Sequence, residues 1–178
     1  MIRIHSVPAT MAMAEDLSTR LRLADRQEIE AASGMDPAQA LIWSVRESKR
    51  SDAWMVDGRA AAIAGVATHR QDPSIGLVWM LGSDDADRFP KRLLSGNKEY
   101  VKELLKDYRM LSNYVDKRNV KAQRWLKWLG FSLGEPEPFG VSRLPFKPFW
   151  MFNTGVLSVT RQDTESDKAM ESQIRVEV

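Results

Sequence analysis

The stretch MLSNYVDKRNVKAQRWLKWLGF, residues 110–131, constrains this chain more than any other. MLSNYV reads as a strand, and NVKAQRWLKWLG reads as a helix that stops at a Gly followed by an aromatic. A strand feeding directly into a helix points to a layered α/β domain, in which helices cover a sheet.

The rest of the chain extends that pattern. Ile2 and Ile4 alternate with Arg3 and His5 in a short strand that Pro8 ends, and residues 10–32 are rich in helix formers. Asp36-Pro37 opens a further helix, with Asp36 as N-cap and Pro37 at its first position. DAWMV and AAIAGVATH flank Asp57-Gly58, a hairpin signal, and SIGLVWMLG follows as a third strand. A helix starts at Pro90, with Gly96-Asn97 as an interior bend or break. The segment from Ser132 to Phe152 carries four prolines and reads as an irregular strand pair. The expected fold class is α/β, a mixed sheet flanked by helices, over residues 1–152. Residues 153–178 are polar, lack aromatics, and carry five acidic against three basic residues. They read as a C-terminal extension or tail, in which alternating QIRVEV is suited to adding to a sheet edge.

Bulk properties exclude several classes. There is no Cys, which removes disulfides, thiolate nucleophiles and zinc–thiolate sites. Two His, at 5 and 69, leave no metal-ligand spacing. A net charge of +2 is too small to argue for nucleic acid on electrostatics alone. No stretch approaches the roughly 20 apolar residues of a spanning helix, and the N-terminus has no apolar run of the signal-peptide kind. The expectation is a soluble intracellular protein with no membrane partner.

Element order and the match of Asn119, Ala122, Gly130 and Phe131 to N-x-x-A…G-F resemble the GNAT fold of N-acetyltransferases. DRQEIEAASGMDP, VWMLGSDD, NYVDKRN, QRWLKWLGF and PFKPFWMF further resemble a divergent GNAT-like internal virion protein family of short-tailed bacteriophages. Those resemblances imply a coenzyme A cradle between the third strand and the next helix, and a general acid four residues before the Gly of GF.

Neither element is found in its usual form. GSDDADRFPKR has no Gly between Gly82 and Gly96, and it puts Asp84, Asp85 and Asp87 where a diphosphate would approach. Like charges about 4 Å apart at an effective dielectric near 20 cost roughly 4 kcal/mol. Acidic residues there are better explained as suiting a helix N-terminus, without any ligand. Four residues before Gly130 stands Leu126, which transfers no proton; Tyr108 and Tyr114 are the substitutes, and His69, Glu99 and Glu103 the possible bases. The first expectation is therefore a non-enzymatic virion structural protein, inside the head or at the portal and head-to-tail junction. It would form a multi-copy assembly with itself and other virion proteins, without catalytic residues, cofactor or metal, and would occupy the host cytoplasm during assembly. Trp128, Phe149, Trp150, Ile174, Val176 and Val178 are its partner-binding candidates. The alternative is an N-acetyltransferase using acetyl-coenzyme A through an atypical pyrophosphate loop, held by Asn119, Arg88 and Arg92. A third reading has the basic residues around the last helix contact nucleic acid weakly.

Overall fold

Asp57 and Gly58 both take positive φ, 48° and 84°, the geometry that lets a two-residue turn follow the natural twist of a hairpin. They join β2 (Arg50–Val56) to β3 (Arg59–Thr68). The computed structural model describes residues 4–88 and 90–155, so Ile174, Val176, Val178 and most of the proposed tail lie outside the described residues. Besides this hairpin the chain forms β1 (Ile4–Pro8), β4 (Ile75–Gly82), β5 (Met110–Asp116), β6 (Ser132–Leu133), β7 (Glu137–Phe139) and β8 (Leu144–Phe152). They make one mixed sheet in the order β1-β2-β3-β4-β5-β8-β6, with β7 also paired to β8. Only the β4–β5 pair is parallel among these; the others are antiparallel.

Among the described residues six helices accompany the strands: α1 (Met11–Ser18), α2 (Leu23–Ser33), α3 (Pro37–Glu47), α4 (Asp84–Arg88), α5 (Pro90–Leu105) and α6 (Val120–Leu129). Local chemistry fixes several ends. Asp36 Oδ1 accepts from Gln39 N at 3.0 Å and Pro37 fills the first turn of α3, as the sequence predicts. Asn119 Oδ1 accepts from Ala122 N at 3.2 Å, and Gly130, at φ 107°, ends α6 in the left-handed conformation.

Two expectations are corrected here. α5 runs unbroken through Gly96 and Asn97, and Asn97 is buried within it. The acidic segment after β4 is not an open loop, since Asp84–Arg88 forms a short helix.

Both faces of the sheet are covered. Leu17, Leu21, Leu41 and Val45 of the α1–α3 side pack on Ala53, Met55 and Ile63. On the opposite face Val101 and Leu104 of α5 and Leu126 and Leu129 of α6 pack on Val66, Leu111, Val115 and Phe149. Leu111 is fully buried, at the point where α5, α6 and the parallel strands meet.

Candidate active site

β4 is bonded along its two edges very differently. Towards β3 it is in register from Gly76 to Gly82; towards β5 the register covers only Ile75, Gly76 and Leu77, opposite Met110, Leu111 and Ser112. Beyond Leu77 the two parallel strands diverge, leaving a V-shaped cleft that widens towards their C-terminal ends. Gly76 sits at the closed end, where an added Cβ would lie 2.8 Å from Leu111 and Val66 side-chain atoms and 2.9 Å from Tyr108. Only Gly lets the strands and helices approach so closely there.

Helix α2 crosses the open end. At its start Arg22 N donates to Gly82 O at 2.9 Å, and Gly82 N donates to the buried carboxylate of Asp25 at 2.8 Å. Arg22 also donates from Nε and Nη2 to Asp25, so that buried charge is paired. One turn on, Glu28 Oε2 accepts from Asn119 Nδ2 at 3.0 Å, which ties α2 to the end of β5 and the start of α6. At its far end Ala32 O and Ala31 O accept from Val141 N and Ser142 N, in the turn between β7 and β8. Gly140 of that turn comes so close that an added Cβ would lie 2.4 Å from Ala32 O. α2 thus fastens to β4, β5 and the β7–β8 turn in succession and forms a roof over the mouth of the cleft.

Glu28, in this roof, has altered acidity. Burial pushes its carboxyl up to about 7, and the carboxylates of Asp25 and Asp116 add to the effect, while the Asn119 amide opposes it. A carboxyl in this range changes charge near neutral pH, as a general base must. Asp116 is itself buried and paired with Arg118 at 2.5 Å. On β5 the Tyr114 hydroxyl donates to Glu137 Oε1 at 3.0 Å, and its ring stacks on Phe139 at 4.0 Å between centroids.

Most residues singled out from sequence fall elsewhere. Asn119 is at the mouth, capping α6 with its oxygen and holding Glu28 with its nitrogen. The side chains of Arg88 and Arg92 lie outside the described residues. Phe149 is in the core, 5% exposed and edge-on to Phe131, so it is not available as a surface contact. Trp150 is half-buried on β8. Trp128 is 44% exposed on α6, with Lys98 Nζ 4.1 Å from its ring centroid. His69 accepts from Asp72 N in the β3–β4 turn, at the end of β4 away from the mouth, while Glu99 and Glu103 pair with Lys102 and Lys106 on exposed α5. Tyr108 is buried and hydrogen-bonded with Thr68 at 3.0 Å. Leu126 is packed in the core; its neighbour Trp125 buries an Nε1 that has no partner among the described residues. Glu28 and Asp25 were missed. Their signal is a helix whose carboxylates, three residues apart, share one face with Ala31 and Ala32, a small and polar face turned inward.

No family model matches the chain, and no curated protein does. Solved structures do. A GNAT-family acetyltransferase from Streptococcus pneumoniae superimposes with a TM-score of 0.59 at 13% identity, covering 84% of this chain and 99% of that one. Aminoglycoside acetyltransferase AAC(6')-Ib in complex with coenzyme A gives 0.61 at 16% identity, over 88% and 99%. YncA from Salmonella typhimurium, a putative acetyltransferase with its cofactor acetyl-coenzyme A, gives 0.57 at 12%, over 84% and 93%. The chain has the GNAT fold. These neighbours are acetyltransferases, some holding coenzyme A, and they overturn the expectation of a non-enzymatic phage virion or head-to-tail structural protein. The expectation of a cofactor-free scaffold loses its support with it, because structures of the same fold hold coenzyme A or acetyl-coenzyme A.

Proposed function

We propose that the chain is an N-acetyltransferase that passes an acetyl group from acetyl-coenzyme A to an amine. The observation that carries this reading is the early divergence of β4 from β5 within a GNAT fold, which opens a cleft between two rigid strands at the sheet's centre. Acetyl-coenzyme A supplies the activated thioester; the remaining demands fall on the chain.

The diphosphate is the hardest to place. Gly82 N is engaged by Asp25, Ser83 N by Ala61 O and Ala86 N by Ser83 O, so the segment just after β4 offers few free donors. The first turn of α5 is the better anion site. Its leading amides have no acceptor within the helix, and Lys91 and Arg92 belong to that turn. Asp85 is partly neutralised by Arg20 at 3.6 Å. Glu28, ionised in half of the molecules near pH 7, takes the proton from the attacking amine. Tyr114 replaces the missing acid of Leu126: all three tyrosine hydroxyls are hydrogen-bonded, Tyr108 and Tyr100 to Thr68 and Ala64 on β3 and Tyr114 to Glu137, but Tyr114 is the one on β5, the strand that borders the cleft.

Calorimetric titration with coenzyme A, followed by a thiol-release assay with acetyl-coenzyme A and a panel of primary amines between pH 6 and 9, tests the proposal. Saturable binding and amine-dependent release are expected, rising through about pH 7 as Glu28 ionises. Absence of coenzyme A binding at millimolar concentration overturns it.

A further inference from the structure

The β4–β5 ladder stops at a definite atom pair. Met110 N donates to Ser74 O at 3.4 Å, and bonds in a parallel ladder repeat every two residues on each strand. Two repeats on, with Val78 opposite Asn113, the next bond would run from Tyr114 N to Val78 O. The paired register has already ended before that point. Tyr114 N donates instead to Asn113 Oδ1 at 2.8 Å, and Asn113 Nδ2 donates to Val78 O at 2.9 Å. The carboxamide of Asn113 is inserted into the ladder like an extra peptide group: it accepts from the strand that should donate and donates to the strand that should accept. Both backbone groups stay satisfied while the strands are held apart by the width of one amide. Leaving either unpaired in this half-buried place would be unfavourable.

We propose that Asn113 is the positioning residue that opens the donor cleft and sets where it starts. Other side chains do not substitute easily. Asp accepts from Tyr114 N but repels Val78 O, Leu offers neither function, and Gln is one methylene too long to bridge the same two atoms. Ala at this position removes the wedge and leaves Tyr114 N and Val78 O free to bond directly, which carries the parallel ladder one rung further and narrows the cleft at its inner end. The functional half of this inference rests on the acetyltransferase reading; the structural half does not.

The experiment compares wild type with Asn113→Ala and Asn113→Asp by two readouts. The first is the through-hydrogen-bond scalar coupling between Tyr114 N and Val78 carbonyl carbon in isotope-labelled protein. It should be absent in wild type and present in Asn113→Ala, which keeps a normal thermal unfolding midpoint because the new bond replaces the old pair. The second is kinetic: KM for acetyl-coenzyme A should rise about tenfold or more in Asn113→Ala, equivalent to losing one good interaction, with a smaller change in kcat. Asn113→Asp should show no coupling and a similar KM. If wild type already shows the coupling, the wedge is overturned; if Asn113→Ala gains it while binding coenzyme A with KM unchanged, the role of Asn113 in opening the donor cleft is overturned. If wild type binds no coenzyme A yet Asn113→Ala gains the coupling, the wedge stands and the acetyltransferase reading fails.

Discussion

The two edges of β4 make opposite use of similar sequence. Against β3 the strand is zipped for seven consecutive pairs, through alanines and glycines that bring the strands and their cover into close contact; against β5 it is zipped for three and then released. The closed edge is made of packing. Gly65 faces Trp79 so tightly that an added Cβ would sit 2.7 Å from the indole and 2.9 Å from Arg50 O. The open edge is made of polar groups: Asn113, Tyr114, Asn119 and, from the roof, Asp25 and Glu28. Tight packing is concentrated on one side of a single strand and polar groups on the other, which is where the proposed acetyl transfer is placed. The three shared rungs around Gly76 and Leu111 are the hinge between them.

That division is most strongly tested at the hinge. Leu111→Ala removes a fully buried side chain where both helices of one face meet the parallel pair. The expected loss is about 4 kcal/mol in urea unfolding, at the upper end for such cavities because four elements surround the site. A loss below about 1 kcal/mol would mean that the rungs do not carry the load assigned to them. On the closed edge Gly65→Ala should cost about 2 kcal/mol by overpacking against Trp79 and the Arg50 backbone, while leaving the affinity for coenzyme A unchanged. A change in that affinity would show that the two edges are not independent.

Much of the local structure was legible in the sequence, and little of the open edge. Asp57-Gly58 predicts its hairpin, Asp36-Pro37 its helix start and Gly130 its helix end, because each depends on φ preferences or on a hydrogen bond three residues away. The open edge is assembled by contacts between distant residues. Asp25 reaches Gly82 and Glu28 reaches Asn119 across separations of 57 and 91 residues. Periodicity does not encode where a polar helix will cross a sheet. The acidic segment Asp84–Asp87 discourages a diphosphate in isolation, and its setting is equally non-local: Arg20, in the turn after α1, lies 3.6 Å from Asp85.

Glu28 gives the open edge a pH signature near neutrality. Its folded-state value of about 7 lies above the ordinary 4.5, so the native protein binds the proton more tightly than the unfolded chain does. Below pH 4.5 both states are protonated and nothing is lost. As pH rises from 4.5 through 7 the unfolded chain ionises first, stability falls, and the penalty is complete above 7. Glu28→Gln removes that slope. Relative to wild type it should gain about 2 kcal/mol between pH 4 and pH 8, a figure reduced from the full shift because the carboxyl is partly solvated. In turnover the same substitution should lower kcat/KM by at least about a hundredfold and abolish its rise through pH 7. A stability gain without the kinetic loss would make Glu28 a tether of the roof and not a base.

The smallest effect separates the two polar anchors of β5. Tyr114→Phe keeps the ring stacked on Phe139 at 4.0 Å and removes only the hydroxyl that donates to Glu137. Its cost in stability should be about 1 kcal/mol, one hydrogen bond to a charged acceptor in a half-buried place. The kinetic consequence is the informative part. If the phenol returns a proton to the departing thiolate, kcat falls and the basic limb of its pH profile shifts, while KM for acetyl-coenzyme A stays put. If Tyr114 only braces β7 through Glu137, kcat is untouched and the change is confined to the unfolding midpoint. That outcome would take the phenol out of the chemistry and leave Tyr114 as a structural link between β5 and β7.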